Sequence, residues 1–221
     1  MAKSPIFHPD FKAKPFWWDA YEPQPLPEVP LPKETRIVIV GAGYAGLSAA
    51  LELHRSGIEC LVLDANEPGY GGSSRNGGMV SGGVNVGKRY LARAMTPDEA
   101  APFLADSADA FSHIEELIER EKIDCAWTKS GYFLGAWCRS HYDSMASKMD
   151  SLNAHAQSDA YLVPPERQRE EIGSDYYRGG IVIGRAAIIH PALYFKGLLD
   201  LCTKRSILIA SKTPVNKLTR S

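Results

Sequence analysis

The sequence predicts an α/β fold built around a parallel sheet, and three apolar runs carry this prediction. Residues 36–40 (RIVIV) and 60–63 (CLVL) are rich in β-branched and aliphatic side chains, and an apolar helix containing Leu47 and Leu51 lies between them. A third run at 206–210 (SILIA) follows another predicted helix near the end of the chain. Strands that alternate with helices are typical of parallel sheets. We therefore expect a Rossmann-like domain.

The turn between the first strand and its helix, GAGYAG at 41–46, is typical of dinucleotide-binding sites. Gly41 permits the tight turn, Gly43 lets a pyrophosphate approach bare backbone, and Gly46 lets the helix pack close to the sheet. The diphosphate would then lie at the positive end of the helix dipole. A chance glycine turn is the alternative, but it explains neither the strands nor the helix around it.

Asp64 ends the second strand, 23 residues after Gly41, where a carboxylate can accept hydrogen bonds from an adenosine ribose. The same carboxylate would repel a 2′-phosphate, which argues against NADP. The pattern leaves both NAD and FAD open as ligands.

The composition is that of an ordinary globular protein and argues against two classes of partner. The chain has 221 residues, of which 44% are hydrophobic and 23% charged, with a net charge of −1. This length suits one large or two small domains, and the neutral balance gives no support for nucleic-acid binding. The longest uncharged run, residues 37–51, is shorter than the ~20 residues of a spanning helix. We expect no membrane segment.

The four cysteines contain no CxxC pair and the six histidines are scattered, so we expect neither a disulfide framework nor a metal site. The N-terminal residues lack the apolar core of a signal peptide. A cytoplasmic protein in a reducing compartment is the expectation.

Three segments are predicted along the chain. Residues 1–33 hold eight of the fifteen prolines together with Phe16, Trp17, Trp18 and Tyr21, and this composition predicts an extended arm. Aromatic side chains at such density are costly to leave in water, so the arm should dock on the body as a strap that fills the core. The alternative is that it shapes a substrate entrance.

The other two segments are a nucleotide-binding domain, formed by residues 34–95 and 186–221 and expected to be incomplete, and an insertion at 96–185. The insertion is expected to begin an α+β substrate or cap region. Its predicted elements are a helix from the capping box Thr96-Pro-Asp-Glu99 to about Glu121, a strand within 127–137 and a helix over 140–157. His190-Pro191 then opens a helix to about Lys204.

A second concentration of glycine follows Asp64, because residues 69–87 hold eight of the nineteen glycines. Backbone of this kind must approach a ligand closely or adopt positive φ angles.

With these motifs, the chain resembles the FAD-dependent amine and D-amino-acid oxidases, the glycine/sarcosine/D-amino-acid oxidase group. It looks closest to the branch of γ-glutamylputrescine-oxidase-like enzymes. The matching segments are GAGYAGL (41–47), VLD (62–64), SSRNGGM (73–79), HP (190–191), TPV (213–215) and FWW (16–18).

The resemblance implies that FAD is the cofactor and assigns a part of it to each motif. The phosphates and ribityl chain would contact Ser73, Ser74, Arg75 and Asn76, whose hydroxyls and guanidinium suit anionic oxygens. Gly77, Gly78 and Met79 would lie beneath the flavin ring. For Arg75 the alternative is an ordinary surface arginine.

The remaining cofactor contacts implied by the resemblance lie around the glycine turn. Tyr44 and Ala45 would offer N–H groups to the phosphates, and Val215 would pair with the adenine through its backbone. Asp64 stands where the family often has glutamate, and either carboxylate can reach a ribose hydroxyl. The full predicted set in this region is Gly41, Gly43, Tyr44, Ala45, Gly46, Asp64, Ala65 and Val215.

The resemblance also implies an activity. A hydride equivalent passes from the α-carbon of an amine or amino acid to flavin N5, the imine hydrolyses, and oxygen reoxidises the flavin. The protein supplies orientation and electrostatics. No catalytic residue can be assigned, because the candidate side chains are of types that are more often structural: Tyr132, His141, Tyr161, Tyr177 and His190.

This family builds most of its substrate domain from sequence beyond the third strand, so we expect a C-terminally truncated member. Two alternatives follow. The chain could be a non-catalytic FAD-binding half, or, less favoured, an NAD-dependent dehydrogenase, for which no second catalytic motif is present.

Overall fold

The computed structural model describes residues 6–81 and 97–219, and the chain forms two compact units. One unit consists of Met1–Gly77 with His190–Ser221, and the other of Gly78–Ile189. The predicted segments meet at 95/96 and 185/186, whereas the units meet at 77/78 and 189/190. The assignment of the segments to cofactor and substrate binding stays a prediction.

The first unit contains the parallel sheet that the sequence predicts. Its strands are β1 (Val38–Val40), β2 (Leu61–Leu63) and β8 (Leu208–Ala210), in the order β1-β2-β8. All are parallel, with Val62 of β2 opposite both Ile39 and Ile209. The α/β fold class is therefore confirmed.

Two helices, α1 (Tyr44–Arg55) and α4 (Pro191–Lys204), complete the first unit. α1 buries Leu47, Ala50 and Leu51, one apolar stripe at helical spacing. α4 begins at the predicted His190-Pro191, where Nδ1 of His190 accepts the N–H of Leu193. The two helices pack together. Loops follow all three strands of the parallel sheet at their carboxyl ends.

Both outer strands of the described sheet carry exposed aliphatic side chains. In the third strand, Ile209 and Ala210 lie in the core, whereas Leu208 keeps 43% of its surface exposed. At the other side of the described sheet, Val40 of β1 is 61% exposed. Burial of these aliphatic side chains depends on neighbours that local sequence does not specify.

The arm, residues 6–33, is extended apart from one turn of 3-10 helix at Phe16–Asp19. It docks on the first unit through its aromatic residues, since Trp17, Trp18 and Tyr21 are each only partly exposed. Phe16, in contrast, is 78% exposed.

The second unit mixes helices with antiparallel strands, as expected for an α+β region. A pair is formed by β3 (Met79–Ser81) and β7 (Ala186–Ile188), and a three-stranded sheet has the order β4-β6-β5. Those strands are β4 (Tyr132–Gly135), β5 (Ala160–Val163) and β6 (Gly180–Ile183).

The helices of this unit are α2 (Pro97–Glu121) and α3 (Arg139–Ala156), with a 3-10 turn at Pro165–Glu170. The predicted helix to Glu121, strand within 127–137 and helix over 140–157 are all present. α3 covers one face of the sheet and buries Met145 with Ile181 and Ile183. Thr96 of the predicted capping box and the glycines at 82–87 lie outside the described residues.

Over residues 6–81 and 97–219, no helix combines the length and the apolar character that crossing a membrane would require.

Candidate cofactor site

The glycine turn joins β1 to α1 with the geometry that its sequence predicts. Gly41 has φ +99°, a left-handed conformation that favours glycine, and its N–H donates to Leu63 O at 2.7 Å. A Cβ at Gly46 would collide with the carbonyl oxygen of Gly41 and lie 3.3 Å from Ile39 Cγ2. Both glycines are therefore required by the backbone, whether or not a ligand is bound.

α1 begins at the turn without a side-chain cap of its own, because the residue before it is Gly43. The first N–H groups of a helix have no intrahelical partner and carry the positive end of its dipole. One of them, the N–H of Tyr44, donates to Ser73 Oγ at 3.0 Å. A Cβ at Gly43 would lie only 2.8 Å from the same oxygen. The loop 71–79 thus meets the glycine turn at Ser73.

Asp64 ties the turn to both neighbouring loops. Its Oδ2 accepts the N–H of Ala42 at 2.7 Å, and its Oδ1 accepts the N–H of Asn66 at 2.9 Å. Its carbonyl oxygen accepts the N–H of Thr213 at 2.7 Å. A carboxylate offers about four lone-pair sites, so two backbone bonds leave capacity for ribose hydroxyls. Ala65, the next residue, is exposed.

The segment after β8 is held to the same end of the sheet. The N–H of Lys212 donates to Asn66 O at 3.2 Å, and Nζ of Lys212 lies 2.8 Å from Oε1 of Glu67. The hydrogen bond from Lys212 lowers the pKa of Glu67, and the same contact raises the pKa of Lys212. Val215, three residues further, is partly buried; its pairing with adenine stays a prediction.

Ser74 departs from the expected pattern in one respect. Its side chain is 0% exposed, donates to Gly69 O at 2.7 Å and accepts the indole N–H of Trp18 at 2.7 Å. Because its hydroxyl is enclosed and bonded on both sides, a contact from Ser74 to a ligand would have to come from its backbone.

Arg75 is exposed but anchored. Its Nε donates to Gly71 O at 3.1 Å, and its guanidinium carbon lies 5.1 Å from the ring centroid of Tyr70 and 5.9 Å from that of Trp18. Aromatic faces therefore orient its guanidinium, and its contact with a cofactor stays a prediction.

Asn76 closes the loop on itself. The side-chain Nδ2 of Asn76 donates to Gly72 O and Ser73 O, each at 3.2 Å. The backbone carbonyl oxygen of Asn76 accepts the indole N–H of Trp17 at 2.8 Å. Two carbonyl groups of the short 3-10 helix Gly72–Ser74 are therefore bonded to the side chain of Asn76.

Gly77, Gly78 and Met79, the last three residues of the loop, differ in the unit to which they belong and in their exposure. Gly77 belongs to the first unit and has open space around its Cα. Gly78 belongs to the second unit, has φ +70°, and its carbonyl oxygen accepts the N–H of Ile189. Met79 begins β3 with 68% of its surface exposed. Their placement beneath a flavin ring stays a prediction.

Four of the five candidate catalytic side chains have structural partners, and the fifth, Tyr132, is 37% exposed on β4. Nδ1 of His141 accepts the N–H of Trp137, and the hydroxyl of Tyr161 donates to Glu171 at 2.8 Å. Tyr177 packs against Trp137 with ring centroids 5.6 Å apart. His190 caps α4. No reacting group can be assigned from these contacts.

Sequence reasoning missed the two indole hydrogen bonds from the arm to the loop. The only signal for them was the density of aromatic side chains at 16–21, which predicted docking but not its target. It also missed the hydroxyl of Tyr44, which donates to Pro191 O at 2.9 Å and ties α1 to α4.

Together these residues fit a dinucleotide. The Gly43 backbone lacks a Cβ at the start of α1, the Asp64 carboxylate faces the turn, and the hydroxyl of Ser73 lies beside the N–H of Tyr44. Within the described residues, no group of three or more His, Cys, Asp and Glu side chains is arranged to hold a metal ion.

Comparison with known proteins agrees with this fit. The family model DAO, described as FAD dependent oxidoreductase, matches residues 36–221. The chain is 30% identical over 179 residues to the probable oxidoreductase OrdL of Haemophilus influenzae. The aligned residues make up 81% of this chain and 42% of that relative. The chain is 28% identical over 155 residues to the gamma-glutamylputrescine oxidoreductase of Escherichia coli, 70% of this chain and 36% of the relative.

Among solved structures, the glycine oxidase from Geobacillus kaustophilus superposes with a TM-score of 0.67 at 17% identity, covering 84% of this chain and 48% of that one. This likeness confirms the fold. The chain spans less than half the length of these relatives. The family resemblance and its cofactor, FAD, are confirmed by the family match.

Proposed function

The chain belongs to the family of FAD-dependent oxidoreductases, and we propose that its first unit binds FAD for the oxidation of a carbon–nitrogen bond in an amine or amino acid. The observation that carries the proposal is the meeting of two motifs at one place. Ser73 Oγ lies 3.0 Å from the N–H of Tyr44, while Asp64 accepts the N–H of Ala42 from the same turn.

The diphosphate would be held at the start of α1. Anions are stabilised there by the helix dipole and by N–H groups without intrahelical partners, and Gly43 leaves the backbone accessible. The hydroxyl of Ser73 accepts the N–H of Tyr44, so its own proton can be donated to a phosphate oxygen. The oriented guanidinium of Arg75 adds positive charge to the same loop.

The adenosine would lie toward β2 and β8. Asp64 would accept the ribose hydroxyls, and its negative charge disfavours a 2′-phosphate. Val215 would offer its backbone to the adenine from the segment that Lys212 ties to Glu67.

The bound FAD would supply the two-electron chemistry, with oxygen as the acceptor that completes the cycle. The amine or amino-acid substrate class is supported by the relative whose name specifies gamma-glutamylputrescine. A cytoplasmic location is supported by the described cysteines, all four of which are free. Neither a nucleic-acid partner nor a membrane is part of the proposal.

A second candidate is FAD binding without turnover by the 221-residue chain. Its support is the covered share of the relatives, 42% and 36% of their lengths. The two candidates share the cofactor site and differ only in whether an amine reduces the bound flavin.

The test is a titration of the purified chain with FAD, followed by visible absorption and oxygen uptake with amines and amino acids. Gly43→Ala should weaken FAD binding by about tenfold or more, because its Cβ would displace the hydroxyl of Ser73 from the start of α1. Gly71→Ala is the matched control, since a Cβ there meets open space. Binding of NAD without any binding of FAD would overturn the proposal.

A further inference from the structure

We propose that Trp17 and Trp18 of the arm, here called the tryptophan clamp, hold the loop 72–76 in its cofactor-binding shape and thereby set the affinity for FAD. This inference rests on the proposed function, because it assigns to the arm a positioning role for the same site. It gives a specific role to residues that the sequence predicted as a core-filling strap or, alternatively, as part of a substrate entrance.

The clamp grips the loop on both sides of Arg75. The indole N–H of Trp18 donates to Ser74 Oγ at 2.7 Å, and the Ser74 hydroxyl in turn donates a hydrogen bond to Gly69 O. The indole N–H of Trp17 donates to Asn76 O at 2.8 Å. Two adjacent residues of the arm therefore fix the residues immediately before and after the arginine.

The clamp also orients the arginine itself. The guanidinium carbon of Arg75 lies 5.9 Å from the ring centroid of Trp18 and 5.1 Å from that of Tyr70, and the two rings are neighbours with centroids 5.9 Å apart. A cation held over aromatic faces has lost conformational freedom before a ligand arrives. Preorganisation of this kind raises affinity, since the cost of ordering the side chain is not incurred on binding.

The arm is seated firmly enough to act on the loop. Trp17 packs edge-to-face on His190 with ring centroids 4.8 Å apart, and Tyr21 lies against Phe195 at 6.5 Å. Trp17 and Trp18 are each only partly buried, so water could satisfy their N–H groups. Both N–H groups instead find acceptors between residues 74 and 76.

The experiment compares the 221-residue chain, in its apo form, as the wild type, Trp17→Phe, Trp18→Phe and the double variant. Phenylalanine keeps much of the aromatic packing and removes the indole N–H. By flavin fluorescence titration, each single variant should bind FAD about three- to tenfold more weakly, the effect of losing one hydrogen bond. In the absence of FAD, backbone amide exchange across residues 69–76 should be faster in the variants than in the wild type. Phe11→Leu, at an exposed aromatic position of the arm that stacks on Phe7, should match the wild type.

A double variant that binds FAD within twofold of the wild type overturns the clamp, even if its melting temperature falls, because a strap alone would give that result. Should the tryptophan variants fail to fold, Ser74→Ala breaks the same bond from the loop side. Trp18→Phe and Ser74→Ala should be non-additive in FAD affinity, and additive effects would contradict the clamp.

The outcomes also separate the clamp from the proposed function. A wild-type chain without affinity for FAD overturns both. A wild type that binds FAD and loses affinity on Gly43→Ala, while the tryptophan variants bind unchanged, overturns the clamp alone.

Discussion

Gly46→Ala tests the close packing of α1 on the glycine turn. In an ordinary helix, replacing glycine by alanine stabilises the folded state by about 1 kcal/mol. Here the added Cβ would fall well inside 3.0 Å of Gly41 O, 3.1 Å from Gly41 C and 3.3 Å from Ile39 Cγ2. Relief requires α1 to move by about 1 Å, because the atom in the way is backbone and cannot rotate aside.

That movement would loosen the apolar stripe of α1 against the sheet. Overpacking of a core costs about 1–3 kcal/mol, and a backbone clash belongs at the upper end. Set against the gain in helix propensity, the net prediction is a loss of about 2 kcal/mol in the free energy of unfolding, measured by urea denaturation of the apo-protein.

Gly71→Ala is the control for the substitution at Gly46. Its Cβ meets open space and its φ is negative, so the free energy of unfolding should stay within about 0.5 kcal/mol of the wild type. If Gly46→Ala were as stable as the wild type, close packing of α1 on the Gly41 backbone would not require glycine at position 46. FAD need not bind for this result to count.

The remaining predictions concern the two carboxylates of the site. Asp64→Ala should weaken FAD binding by about a hundredfold, since it removes hydrogen bonds to a charged acceptor. Asp64→Glu should retain most of the affinity in the same titration. Equal affinities for the two variants would refute the assignment of Asp64 to the ribose. The lowered pKa of Glu67 contributes stability that is present above its ordinary value of 4.5 and is lost as pH falls through the folded-state pKa. Lys212→Gln should therefore flatten the acid limb of a melting-temperature profile below about pH 4.5, and an unchanged limb would contradict the pairing.

The parallel sheet and the turn were predictable because their causes are local. β-Branched runs specify β1 and β2, the glycine spacing specifies the turn, and Asp64 marks the end of a strand. Exposure was less predictable: Leu208 belongs to a run that suits a buried strand, yet 43% of its surface is exposed. Aliphatic composition predicts a strand, whereas burial also depends on which elements lie beside it.

The loop 71–79 illustrates the limit of a motif. Its sequence predicts polar contacts with a cofactor, which stay a prediction, and Ser73 lies at the start of α1. The adjacent Ser74 has the same chemistry but turns its hydroxyl to Trp18, a residue 56 positions earlier in the chain. No local pattern distinguishes the two serines, because what separates them is a long-range partner.

The two halves of the site therefore depend on the sequence in different ways. The turn is specified by its own backbone, through Gly41 and Gly46, and by the acceptors of Asp64. The loop is specified by the arm, through Trp17 and Trp18. Under the proposed clamp, a protein could keep every residue of both motifs and still lose affinity for FAD when the arm changes. Motif matching alone would miss that loss, since the residues responsible lie more than fifty positions before the loop that they hold.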